Sequence, residues 1–309
     1  MNHHVLAAIR SEPWAIVPAY LDAIEAIALR AMDHPAVLAV ERDGHEARFA
    51  DATARMGERA PGTRTAALRD GVGIVPMFGP VFPRAGGLAT SGATTLDAVA
   101  ADLRALEASP EVRNVLMTID SPGGAVSGIN DFARFVANFS KPLAVHVSGQ
   151  CCSAVYWIAS QASGGISLDP TGIVGSIGVC MSTTYQEGPD MSGRRSIDIT
   201  STGAPNKRPD LSTEEGRAAL RSTLDAIESV FISTVAKGRG VSEATVRADF
   251  GKGGTLTGKD AKAAGMVDRV EADGLDGAIR RLARTAPPAA PRRAAAANHL
   301  ALARARAGL

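Results

Sequence analysis

Apolar positions in the first part of the chain recur at helical spacing. Leu21, Ile24, Ile27, Ala28 and Met32 follow Pro18 and predict an amphipathic helix over residues 18–32. A helix with one face to bury reads as an arm packed on the body of the protein or on a neighbouring copy. Residues 50–70 are rich in Arg, Gly and Thr without periodicity, which predicts a linker. From Gly71 onward, short apolar runs alternate with helical periods. Strands are expected at 72–78, 112–119, 143–147, 173–181 and 267–270, and helices at 95–106, 126–139, 153–162 and 259–264. A long helix within 211–238 is expected to open on Ser212 and Glu215, which have the spacing of a capping box.

Strands that alternate with helices imply parallel β-α-β units, hence an α/β fold. The organisation that follows is an N-terminal helical arm and linker over 1–66, a main domain over 67–285, and a mobile tail rich in Ala, Pro and Arg over 286–309.

Composition removes several function classes. A chain of 309 residues, 45% hydrophobic, is long enough for a large core, and its net charge of +1 supplies no field for nucleic acid or an anionic membrane. No secretory signal is visible, and the apolar stretch 21–32 carries Asp22, Glu25 and Arg30, so no membrane span is expected. Cys151, Cys152 and Cys180 have no metal-ligand spacing, and vicinal cysteines rarely bridge, which fits a reducing cytoplasm.

Two segments carry candidate chemistry. Asp120-Ser121-Pro122-Gly123-Gly124 lies between a strand and a helix, where paired glycines let backbone amides face a cleft. Ser153 stands where the next strand passes into a helix, beside amides at the positive end of the dipole. That place suits a nucleophile, and it equally suits a plain helix cap. Cys151 and Cys152 compete as nucleophiles. A base for Ser153 is needed. No histidine occurs between His146 and His299, which leaves an Asp120/His146/Ser153 relay or one of six lysines, Lys141, Lys207, Lys237, Lys252, Lys259 and Lys262. Burial disfavours the charged form of a lysine and makes it a base.

Taken in order, Asp120 to Gly124, Cys152 to Ala159, Thr171 to Val179, and Leu256-Thr257-Gly258-Lys259-Asp260-Ala261 with Gly265-Met266-Val267-Asp268 resemble the signal peptide peptidase A family of serine peptidases. The resemblance spans roughly residues 70–272. It implies a crotonase-like or Clp-like α/β spiral and a Ser-Lys dyad, with Ser153 as nucleophile and Lys207 as base. Gly123, Gly124 and the amide of Ala154 would form the oxyanion site, and Ser176 would orient the lysine. No metal or organic cofactor is required. The resemblance further implies a homo-oligomeric ring with each working site shared between protomers. Without an anchor, the chain looks like the phage branch that matures capsids, acting on scaffold and capsid proteins in the host cytoplasm and the prohead interior. Two features depart from the family pattern. Cys152-Ser153-Ala154-Val155 replaces Ala-Ser-Gly-Gly, and one extra residue separates Gly203 from Lys207. Other readings are a peptidase that degrades signal peptides, a crotonase-type acyl-CoA hydratase, a Clp-type peptidase, which needs a histidine about two helical turns to one strand after the nucleophile where this chain has none, and a catalytically silent capsid scaffold module.

Overall fold

The computed structural model describes residues 3–34, 36–84, 93–184, 188–189, 192–193 and 199–285. The chain opens with α1 (His3–Ser11), a three-residue strand β1 (Trp14–Ile16), α2 (Pro18–Asp33) and α3 (Ala36–Thr53). Pro18 sits in the first turn of α2, where its missing amide costs nothing. Arg10 Nε of α1 donates to Glu25 Oε1 of α2 at 2.7 Å and clamps the two helices on either side of β1.

The strands β2 (Glu58–Arg59), β3 (Ala67–Arg69), β4 (Val72–Phe78), β5 (Val81–Phe82) and β6 (Thr94–Thr95) lead to α4 (Leu96–Ala108). Then follow β7 (Asn114–Ser121), β8 (Gly123–Ala125), α5 (Ile129–Ala137), β9 (Leu143–Cys152), α6 (Ala154–Ala159), β10 (Ile166–Leu168) and β11 (Ile173–Gly175). The last elements are α7 (Glu214–Arg239), α8 (Glu243–Asp249), β12 (Thr255–Thr257), α9 (Gly258–Ala263), β13 (Arg269–Val270) and α10 (Gly274–Arg284).

Among the described residues the larger sheet runs β12-β11-β9-β7-β4-β3-β2, with β10 beside β9 and β13 beside β10. β4, β7, β9 and β11 are mutually parallel. Their apolar runs are nearly unbroken because both faces are covered. Val72, Ile74 and Leu116 pack with Ala278, Ile279 and Leu282 of α10. Val75, Met77, Val115 and Met117 belong to the main core with residues of α4, α5, α6 and α7. A second sheet runs β1-β8-β5-β6. The architecture is the α/β succession of β-α-β units that was expected.

Several local expectations need correction. The stretch 50–70 holds the end of α3 and the β2/β3 pair, which continues the main sheet through β4. Its connecting loop folds around buried Asp102, whose carboxylate accepts from the Arg64, Thr65 and Ala66 amides at 2.6, 2.8 and 3.0 Å and from Thr65 Oγ1 at 2.7 Å. Ser212 does not cap α7, because its hydroxyl turns back to Asp210 Oδ1 at 2.7 Å. Thr213 takes the cap instead, accepting from the Gly216 amide at 3.0 Å. The strand expected over 173–181 stops at Gly175, where positive φ at Gly175 and Ser176 breaks the extended backbone. The tail 286–309 lies outside the described residues.

Asp102→Ala removes one acceptor and strands several amides, so it should cost about 3 kcal/mol of stability. Urea unfolding monitored by Trp fluorescence checks this. A change within error would mean that the 60–66 loop does not depend on the carboxylate.

Candidate active site

β9 ends at Cys152, and the chain enters α6 through a single residue, Ser153, at φ 55° and ψ −118°. The strand turns sharply into the helix here, and for a residue other than glycine that conformation costs about 1–3 kcal/mol. The surroundings hold it in place. The Ser153 amide donates to the Gly175 carbonyl of β11 at 2.7 Å. All of α6 is buried, with Trp157 stacked on Phe231 of α7 at 4.5 Å and the Tyr156 hydroxyl donating to the Met266 carbonyl at 2.9 Å. The Ser153 side chain is itself buried, and Oγ makes a long 3.5 Å contact to the Gly178 carbonyl. The Ala154 amide opens the helix and has no intrahelical acceptor.

β8 brings the glycine pair against this turn. A Cβ on Gly123 would stand 3.0 Å from Ser153 Cβ and 2.2 Å from the Ala15 carbonyl oxygen, and one on Gly124 would stand 1.9 Å from the Val81 carbonyl oxygen. No larger residue fits either place. On the other side, the register of Gly175 with Cys152 sets Ser176 next to the serine turn. Ser176 is buried, has φ 51°, and its amide donates to the Gly254 carbonyl at 2.7 Å.

The fold therefore gathers Ser153, Gly123, Gly124, Ala154 and Ser176. Lys207 stands apart in the single chain. It ends the 3-10 turn Pro205–Lys207 with its side chain exposed, and no hydrogen bond or ion pair among the described residues joins it to Ser153.

The competing residues have other roles. His146 lies buried in β9, with Nδ1 3.2 Å from Ser167 Oγ rather than at the serine. Burial holds its pKa down at about 4, against the pull of Glu271 and Asp169. Asp120 is exposed, and its Oδ1 accepts from the Gln150 amide at 3.0 Å where the β7/β9 register shifts. Gly149 makes room for that carboxylate, since a Cβ there would lie 2.5 Å from Asp120 Oδ1. Burial pushes the Cys152 thiol up to about 12, with Asp120 adding to the effect, and raises Cys151 as well. Neither is a thiolate near neutral pH, so neither competes as a nucleophile.

A cavity of about 670 Å³ opens between α2, α3 and the ends of β4, β7 and β9, lined by Tyr20, Ile24, Phe49, Phe78, Asp120 and Gln150 among others. Ser153 does not line it. The serine turn faces β1 instead, an element that sequence reasoning missed because three residues are too few to show a period.

Residues 137–287 match the family model described as Peptidase family S49. Over 280 residues, 86% of the chain, it is 29% identical to the Head-tail preconnector protein GP5 of Enterobacteria phage P21, covering 54% of that protein. Over the same length it is 27% identical to the Capsid assembly protease C of Escherichia phage lambda, covering 62% of it. It is also 27% identical over 184 residues, 58% of the chain, to Protease 4 of Salmonella typhi, covering 29% of that protein. The chain thus spans little more than half the length of the two phage relatives.

Because the folded state keeps His146 neutral, its contribution to stability is complete above 6.5 and is lost as the pH falls from there towards about 4. The unfolded chain takes up that proton first. Urea midpoints measured from neutral pH down to this range should fall in the wild type and fall less in His146→Gln, a difference on the order of 3 kcal/mol at most.

Proposed function

We propose, from the match of residues 137–287 to the family model described as Peptidase family S49, that the chain hydrolyses peptide bonds as a serine endopeptidase, with Ser153 as nucleophile and Lys207 as general base. The observation that carries this reading is the buried serine at positive φ, turned into a helix and flanked by a glycine strand. Buried polar residues held in strained backbone cluster at active sites, and that favours a nucleophile over a plain cap.

In the proposed reaction, Lys207 Nζ takes the Ser153 hydroxyl proton as Oγ bonds to the substrate carbonyl carbon. The amides of Gly124 and Ala154 receive the oxyanion, each contributing about 3 kcal/mol to the transition state. The C–N bond then breaks as the lysine returns its proton to the leaving amine. Water, activated by the same lysine, hydrolyses the ester and restores Ser153. Ser176 orients the lysine, and Gly123 keeps the approach to the serine open.

Lysine acts as a base when water is stripped from its ammonium group. Lys207 is exposed in the single chain, so the working site requires a second protomer to bury it, in keeping with a homo-oligomeric ring. The names of the phage relatives, one a capsid assembly protease and one a head-tail preconnector protein, support a role as a prohead protease. Its substrates would be scaffold and capsid proteins, met in the host cytoplasm and inside the prohead. Among the described residues no helix is long and apolar enough to cross a membrane. A catalytically silent capsid module is the second reading, and the exposed lysine is the observation that favours it.

A fluorophosphonate probe separates the two readings. The assembled wild type should label and Ser153→Ala should not. Co-expressed with candidate scaffold and coat proteins, Lys207→Ala should lose processing by about a thousandfold or more. Processing at the wild-type rate in Lys207→Ala would remove the lysine from the mechanism.

A further inference from the structure

A short extended segment of the chain, β1, runs past Ser153 and is bonded along both of its edges. β1 pairs antiparallel with β8 along one edge, in the register Trp14 to Ala125, Ala15 to Gly124 and Ile16 to Gly123. Along its other edge the Trp14 amide donates to the Cys180 carbonyl, and the Cys180 amide donates to the Trp14 carbonyl, both at 2.8 Å. A backbone bridged on both edges is how a groove binds an extended peptide by strand addition.

The register is what distinguishes this strand from simple sheet extension. The Val17 amide donates to the Pro122 carbonyl at 3.0 Å and the Val126 amide to the Pro13 carbonyl at 3.2 Å. Hydrogen-bonded pairs alternate along an antiparallel ladder, so Ala15 and Gly124 form the pair between these two, with the Gly124 amide facing the Ala15 carbonyl. That carbonyl oxygen and Ser153 Cβ both crowd the single point where a Gly123 side chain would begin. Side chains alternate accordingly. Trp14 and Ile16 pack with Ile9, Leu21, Ala28 and Phe82 on the arm side, while Ala15 faces the main core and is fully buried.

We propose that Pro13–Val17 is an intramolecular substrate mimic. Its Ala15 occupies the position of the residue whose carbonyl is attacked, and Ala15–Ile16 lies where a scissile bond would lie. The inference rests on the peptidase reading above and deepens it. The substrates of this cleft are extended segments with a small residue such as alanine on the acyl side, and each must displace the arm strand to enter.

Two variants weaken the strand in different ways. Ala15→Arg places a long charged side chain where only a methyl fits. Val17→Pro keeps the backbone, since Val17 already has φ −63°, and deletes only the amide bonded to Pro122. The readout is hydrogen exchange of the 123–126 and 178–182 amides in the full chain, together with fluorophosphonate labelling. Both variants should exchange faster in these two segments and label about tenfold more if the strand fills nine-tenths of the wild-type clefts. Added peptide Pro-Trp-Ala-Ile-Val should restore protection in both variants, and the same peptide with Arg for Ala should not. Unchanged exchange in both variants, or equal protection by the two peptides, overturns the proposal. Exchange that behaves as expected while Ser153→Ala labels like the wild type would instead sink the assignment of the nucleophile and leave the strand in its groove.

Discussion

Ser153 adopts a backbone conformation that an L-residue does not take freely, and the fold around it is organised to hold that turn. β9 is bonded along its length to β7 and β11, so its end cannot relax outward. The Ser153 amide is tied to Gly175, and the helix that follows is sealed into the core by Trp157 and Tyr156. With both ends fixed, the strain of the turn is offset by packing elsewhere, and the hydroxyl remains next to the glycine strand.

The two glycines complete the site by subtraction. Gly123 and Gly124 supply no side chain, and carbonyl oxygens of Ala15 and Val81 fill the space where a Cβ would be. The backbone of β8 is thereby exposed to whatever lies in the groove. The same economy operates at Gly149, where the missing Cβ admits the Asp120 carboxylate that pins the β7/β9 bulge. Asp120 looked like a possible relay member, yet it acts through the backbone, shaping the strand that carries the serine.

How legible each part was in the sequence follows from where its signal resides. β4, β7 and β9 were readable because both faces are buried and their apolar runs are long, and α2 because its apolar face keeps a helical period. The apolar and charged residues of α3 are not sorted onto separate faces, so its period was hidden. α10 was missed although Leu275, Ala278, Ile279 and Leu282 have helical spacing, because it adjoins an Ala- and Arg-rich tail. β8 is Gly-Gly-Ala and has no strand preference of its own; pairing partners distant in sequence make it a strand. At the site, Ser153 and the glycine pair could be found from their places at strand ends. The side-chain environment of Lys207 could not, since on one chain it is open to water.

The clamp between Arg10 and Glu25 sets the terms of competition for the groove. By joining α1 to α2 it makes β1 a short tether held at both ends, so the strand faces its binding site at a local concentration of about the millimolar range. A peptide arriving from dilute solution meets a rival that never diffuses away. On the capsid reading proposed above, many substrate copies packed against the inner wall of a closed shell would reach the density needed to win, and scattered host proteins would not.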